Sequence, residues 1–410
     1  MKKLINLIVI ILMASTSCNN LRKPNSAVDF EKGDFGYDVA FLSQKDDGLI
    51  VLSSNDGKAQ IIVSPKYQAK VFTSTANGLS GASFGFVNYE VLNSDVIDEH
   101  MNGYGGENRF WLGPEGGKYS VYFAKNAEQV FDNWHTPKPI DIEPWDVVSK
   151  DAKNVVMKKE MQVTNYLDYQ FKLNVDRKIS LMEPAEANRI LGIAANPALN
   201  MVAYQTDNAI TNLNDFEWTQ ETGAICIWIL DMFNPAPNAV TVIPFNEGSE
   251  VETGKIVTSD YFGEIPADRL KVLQNVIFLK TDGNFRSKLG LNGKRTKAIA
   301  GNYDPSIKRL TITTFDVSKD AIYLNQEWDP TKNPLTGDAL NAYNDGPLAD
   351  GSIMGPFLEL ESVSPAAFLK PSQSLMHRHT VFHFSGEEKD LNPIAEKLLG
   401  VSIEAIKNAF

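Results

Sequence analysis

The amino-acid sequence predicts an all-β protein, a large antiparallel β-sandwich finished by a short C-terminal helix. Three observations lead there: many short segments alternate apolar and polar residues, turn residues separate them, and the best helical pattern comes only at the end of the chain. A strand half-buried in an antiparallel sheet repeats with period two, whereas a surface helix repeats with period 3.6.

Residues 48–53 and 59–64 are short runs rich in Ile, Val and Leu, separated by Asn55-Asp56-Gly57, a sequence suited to a hairpin turn. Residues 118–123, 161–164, 169–175 and 310–315 alternate as half-buried strands do. At the C-terminus, residues 393–410 place Ile394, Leu398, Leu399, Val401, Ile403 and Ile406 in a helical pattern broken at Gly400. Between 30 and 410 there is no long Gly/Ser linker, low-complexity block or solenoid repeat, so this stretch reads as one domain.

The first 17 residues read as a secretory signal. Lys2 and Lys3 precede an apolar run from Leu4 to Met13, and small residues lead to Cys18. A cysteine at that place resembles a lipobox, which predicts lipidation of Cys18; the other reading is a cleaved signal with a free cysteine nearby. Residues 18–29 form a tether. No acidic run follows Cys18, where the chain reads Asn19-Asn20-Leu21-Arg22-Lys23, and this points to the periplasmic side of an outer membrane. The remaining cysteine, Cys226, lies in an apolar run and reads as a buried small hydrophobe. A formal net charge of −12 argues against nucleic acid or anionic lipid as partner, since both require clustered Lys and Arg. The membrane is therefore expected to be met through the lipid anchor alone.

Three segments carry a resemblance. They are Gly105-Gly106-Glu107-Asn108-Arg109-Phe110-Trp111-Leu112-Gly113-Pro114-Glu115, then Tyr343-Asn344-Asp345-Gly346, then residues 355–365 (GPFLELESVSP) with 377–384 (HRHTVFHF). Together they resemble the galactose mutarotase (aldose 1-epimerase)-like superfamily, and within it a lipoprotein branch of Bacteroidetes-type bacteria. The resemblance implies a β-supersandwich whose concave face holds a pyranose. It implies that Arg109 matches the arginine of sugar epimerases, and that the glutamate strand bears their catalytic carboxylate. Enzymes of that superfamily usually carry a histidine on a central strand, and this chain has none from Trp145 to Asp350.

The residues can also be read on their own chemistry. Exchange at an anomeric carbon needs a base for the hydroxyl proton and an acid for the ring oxygen. Glu359 and Glu361 are two apart, so on a strand both face the same way, and a covered face would raise a carboxyl pKa or pair it with an arginine. Arg109 is the natural partner; otherwise both glutamates lie on a solvated face or brace the sandwich. His377 and His379 share a face, with His383 in the same parity but too distant to share one ion. They read as hydrogen-bonded histidines at a cleft edge, or His379 supplies the missing acid. Trp111 and Trp134, with Asn108, Glu115, His135 and His377 near them in sequence or in the proposed cleft, read as sugar-binding groups, although tryptophan is more often core. The 341–355 stretch, with Tyr343, Asn344 and Asp345, reads as a loop that recognises hydroxyls, holds a calcium-type ion, or merely reverses the chain.

No phosphate loop, His-Glu-x-x-His helix, Cys-x-x-Cys pair or serine elbow occurs, and no metal or organic cofactor is expected. The sequence therefore predicts a carbohydrate-binding lipoprotein acting on a small sugar or oligosaccharide, with Glu361 or Glu359 as base and His379 as acid. The alternatives are a glycan-binding protein without turnover, and a glycan lyase or hydrolase.

Overall fold

The structure, a computed structural model, describes residues 30–410 apart from Asp95 and Ala349; the signal, Cys18 and the tether lie outside the described residues. Two antiparallel sheets face each other. The first runs β1 (Ile50–Ser53), β2 (Gln60–Ser64), β3 (Lys70–Thr75), β4 (Asn108–Gly113), β9 (Cys226–Phe233), β17 (Leu358–Val363), β16 (Leu340–Asn344), β13 (Ser287–Leu291). The second runs β11 (Leu270–Val272), β12 (Val276–Lys280), β10 (Val240–Pro244), β14 (Ile299–Asp304), β15 (Arg309–Phe315), β18 (Ser374–Ser385), β8 (Asn200–Asn212), β7 (Gln170–Leu181), β6 (Asn154–Thr164), β5 (Asp146–Lys150). The all-β sandwich with C-terminal helices is the architecture expected.

Alternation places the core. On β7, Phe171, Leu173, Val175 and Ile179 are buried while Lys172, Asp176 and Lys178 between them are not. They pack against Phe110 and Leu112 of β4, Ile227 and Ile229 of β9, and Leu358 and Leu360 of β17 as one apolar cluster. The opposite face of the second sheet is covered at one end by the helices Glu388–Leu399 and Ile403–Lys407, whose Leu391, Ile394, Leu399 and Ile406 pack on Phe382 and Phe384. Gly400 sits between these helices at φ 75°, the left-handed conformation that ends a helix. The first helix starts five residues before Pro393 and contains it, because its apolar stripe on the sheet outweighs the lost backbone bond. Cys226 is buried and free. No helix among the described residues is long and apolar enough to cross a membrane.

Two expectations need correction. Residues 118–123 form no strand; Tyr119, Val121, Tyr122 and Phe123 are buried at the end of the sandwich, and their alternation is satisfied by loop packing. The 341–355 stretch is not all loop. Asn341–Asn344 belong to β16, paired on one side with β13 and on the other with β17.

A polar belt crosses the apolar core. Arg177 of β7 is fully buried and donates from Nε to the Ala69 carbonyl at 3.0 Å, from Nη1 to Asn208 Oδ1 at 2.6 Å, and from Nη2 to Asn108 Oδ1 at 2.5 Å. Asn108 Nδ2 donates onward to Asp231 Oδ1 at 2.6 Å, and Asp231 Oδ2 lies 2.6 Å from His379 Nε2. His379 Nδ1 and His377 Nε2 both lie 2.8 Å from Ser362 Oγ. Burial drags Arg177 down to about 9 and His377 down to about 3, the latter helped by His379.

Removing one member of such a network strands the rest. Arg177→Met leaves Asp231 without its balancing charge and is expected to cost about 3–5 kcal/mol. Lys178→Met, exposed one residue further along β7, should stay within about 0.5 kcal/mol of wild type. Chemical denaturation of both variants measures the difference.

Candidate functional site

The outer face of the first sheet is the complement of that core. Each strand that sends one residue inward sends its neighbour outward, so Arg109 and Trp111 of β4, Trp228, Leu230 and Met232 of β9, Glu359 of β17, Tyr343 of β16 and Lys288 of β13 line one cleft. Register brings them level: Arg109 lies opposite Leu230, and Glu359 lies between Met232 and Tyr343. Loops supply the walls, with Met101, Glu115, Phe131, Trp134, Phe262, Trp328, Met354 and Phe357. The cleft is partly open to solvent and holds about 90 Å³ of free volume.

The glycine pair before β4 explains how the floor is entered. Gly105 and Gly106 have φ 84° and 123°, and a side chain on Gly105 would collide with the Phe86 carbonyl. That tight approach carries the chain into the strand with Arg109 facing the cleft.

Two ion pairs form the cleft floor. Arg109 Nη2 contacts Glu359 Oε1, and Lys288 Nζ donates to Glu361 Oε2 at 3.0 Å. Trp228 Nε1 donates to the same Glu361 oxygen at 2.9 Å. The Arg109 guanidinium lies 5.0 Å from the Trp111 ring centre, and Lys288 Nζ lies 4.8 Å from that of Trp228. Burial pushes the Glu359 carboxyl up to about 8 against the pull of Arg109, with Glu361 adding repulsion. Burial also raises Glu115. Lys288 faces the same penalty, yet Glu361 and Glu115 hold its ammonium above the usual range. Behind Arg109, burial and the guanidinium bring Lys70 down to about 7. Three buried polar atoms in and beneath the cleft have no protein partner: Arg109 Nε, Glu361 Oε1 and Trp134 Nε1.

The structure gathers Arg109, Trp111, Glu115, Trp134, Tyr343, Glu359 and Glu361 in this region. Trp111 does so from β4. It separates others, which corrects the expectations for them. His379 and His377 point between the sheets into the polar belt, on the far side of β17 from the glutamates, so neither reaches the cleft. His383 also points inward, with Nε2 3.0 Å from Glu107 Oε1. Asn108 precedes Arg109 on a strand and so faces the belt. His135 follows Trp134 and turns outward, stacked on His100 at 4.8 Å between ring centres. Asn344 is buried on the other face of β16, accepting from Gly283 N at 2.9 Å and donating to the Phe285 carbonyl at 2.7 Å. Asp345 lies just past the strand and accepts from Tyr343 Oη at 3.0 Å and Gly355 N at 2.7 Å, so its oxygens are engaged without an ion. Among the described residues, no group of three or more His, Cys, Asp or Glu could hold a metal.

Sequence reasoning missed Lys288, Trp228, Arg286 and the wall residues Phe262 and Phe357. Trp228 sits inside the apolar run 224–230, and only the parity of β9 relative to β4 identifies it as outward. Lys288 follows Arg286 at strand spacing, a signal that was present but had no partner without the sheet order.

No curated protein matches the sequence. Solved structures do match the fold in outline. A putative aldose 1-epimerase of Escherichia coli K12 is 11% identical, with 82% of this chain and 98% of that chain covered and a TM-score of 0.48. A galactose mutarotase-like protein of Lactobacillus casei ATCC 334 is 12% identical over 82% of this chain and 100% of that chain, with a TM-score of 0.47. A putative mutarotase of Salmonella typhimurium is 12% identical over 82% and 90%, with a TM-score of 0.43. The model of a family of unknown function, DUF6786, matches residues 33–410, and the chain belongs to that family.

Proposed function

We propose that the cleft binds a carbohydrate and that its chemistry is proton transfer at or near an anomeric carbon. The observation that carries this reading is the pair Glu359 and Glu361 on one face of β17, each matched to a cation, beneath aromatic walls. An aromatic face takes the C–H side of a pyranose, and the cleft-lining Arg109, Glu115 and Glu359 side chains supply polar partners for its hydroxyls. In this reading Glu361, with one oxygen held by Lys288 and Trp228 and the other free, is the base. Glu359, whose carboxyl burial pushes up against the pull of Arg109, is the group that gives and retakes the proton as acid. No histidine takes part. A second reading, binding without turnover, is favoured by the same ion pairs, which already satisfy both carboxylates in part.

One experiment separates the two. Anomeric exchange of a bound sugar is followed by NMR in wild type and Glu361→Gln, with affinity measured beside it. The enzyme reading expects exchange to fall about 100-fold or more in the variant while the sugar still binds. Binding with no exchange above the uncatalysed rate in wild type leaves only the second reading.

The glutamate also has a signature in stability. An unfolded carboxyl titrates near 4.5 and the folded Glu359 near 8, so the folded state holds the extra proton between them. Its stabilising contribution is complete below about pH 4.5 and is lost as pH rises through 8. Thermal midpoints from pH 5 to 9 should therefore fall in wild type relative to Glu359→Gln.

We further propose that the chain is anchored by lipid on Cys18 at the periplasmic face of an outer membrane, on the strength of the signal-like N-terminus alone. Cys18→Ala should move the full-length protein from the membrane to the soluble fraction on fractionation of the producing cells.

A further inference from the structure

Three cations line the cleft, and they are not equivalent. Arg109 and Lys288 each meet a glutamate. Arg286 meets none: no carboxylate among the described residues forms an ion pair with it. It is nevertheless held in place. Its guanidinium carbon lies 3.9 Å from the centre of the Phe262 ring, and its Nε donates to Tyr343 Oη at 3.2 Å. Tyr343 in turn donates to Asp345 Oδ1, and the other Asp345 oxygen takes Gly355 N. Among the described residues, Nη1 and Nη2 of Arg286 have no hydrogen-bond partner at all.

An arginine stacked on a ring and fixed through Nε presents its outer two nitrogens as a planar fork. That fork matches the paired oxygens of a carboxylate or a sulfate. Arg286 also lines both the chamber above the glutamates and the adjoining space beside Tyr261, Trp328 and Lys332, so a ligand over the floor has its substituents within the fork's neighbourhood. The chain as a whole is acidic, at −12, so an anion would be drawn here by this local geometry and not by a general positive surface.

We infer that Arg286 is a specificity residue for an acidic sugar, one whose ring carries a carboxylate or a sulfate that the fork binds. The inference rests on the carbohydrate reading above and narrows it to a substrate class.

Calorimetric titration of the protein tests it with matched pairs: glucuronate against glucose, galacturonate against galactose, and galactose 6-sulfate against galactose. Wild type, Arg286→Gln and Arg286→Lys are compared. At least one acidic sugar should bind about 10-fold or more tightly than its neutral partner, with the ratio near one in Arg286→Gln. Arg286→Lys should keep only part of the preference, because the charge remains and the fork does not. Which acidic member binds identifies carboxylate or sulfate as the group read. Equal binding of acidic and neutral sugars by wild type, or a preference that survives Arg286→Gln, overturns the inference and leaves the carbohydrate reading intact. If no sugar of either kind binds, both fall.

Discussion

Arg177 sits between two sheets with no route to water, and its guanidinium must be answered by protein groups alone. The answer comes from Asn108 and, through it, from Asp231, which lie opposite each other on β4 and β9. Asp231 also lies opposite Leu360 on β17, and it binds His379 from the other sheet. The belt therefore fixes the register of β4, β9 and β17, the central strands beneath the cleft. A one-residue slip of β4 would carry Asn108 to the outside and Arg109 into the belt, exchanging every side chain between core and cleft. Apolar packing alone penalises such a slip less sharply, since Phe110, Trp111 and Leu112 are all hydrophobic.

The cleft floor shows the opposing effects at work on its charges. Desolvation favours the neutral form of each group, whereas the partner favours the charged one. At Lys288 two glutamates outweigh burial, and the ammonium is held. At Glu359 burial and the neighbouring Glu361 outweigh Arg109. Two carboxyls on one strand thus live in different electrostatic settings, because Lys288 and Trp228 converge on one and a single guanidinium serves the other.

Much of this was legible in the sequence, for identifiable reasons. The strands at 50–53 and 60–64 announce themselves as Ile- and Val-rich runs about a hairpin turn, those at 170–181 and 309–315 by alternation, and the spacing of Glu359 and Glu361 gives their shared face. Parity, however, says which residues share a face and not which face is the cleft. Parity groups His377 and His379 with each other but does not relate them to the glutamates, because β18 belongs to the other sheet. The same parity separates Asn108 from Arg109 and Asn344 from Tyr343. Residues 118–123 alternate without pairing, since aromatic side chains can find a core from a loop as well as from a ladder. Lys288 could be assigned only once β13 was known to close the sheet beside β16.

Cys226 bears on how the folded chain is held together. It is the single cysteine among the described residues, it is buried, and burial pushes its thiol up to about 12. A thiol so protected is almost wholly protonated at neutral pH and does not attack disulfides. No disulfide closes among the described residues, so the folded sandwich is held by its apolar core and polar belt, and a reductant has no cross-link there to break.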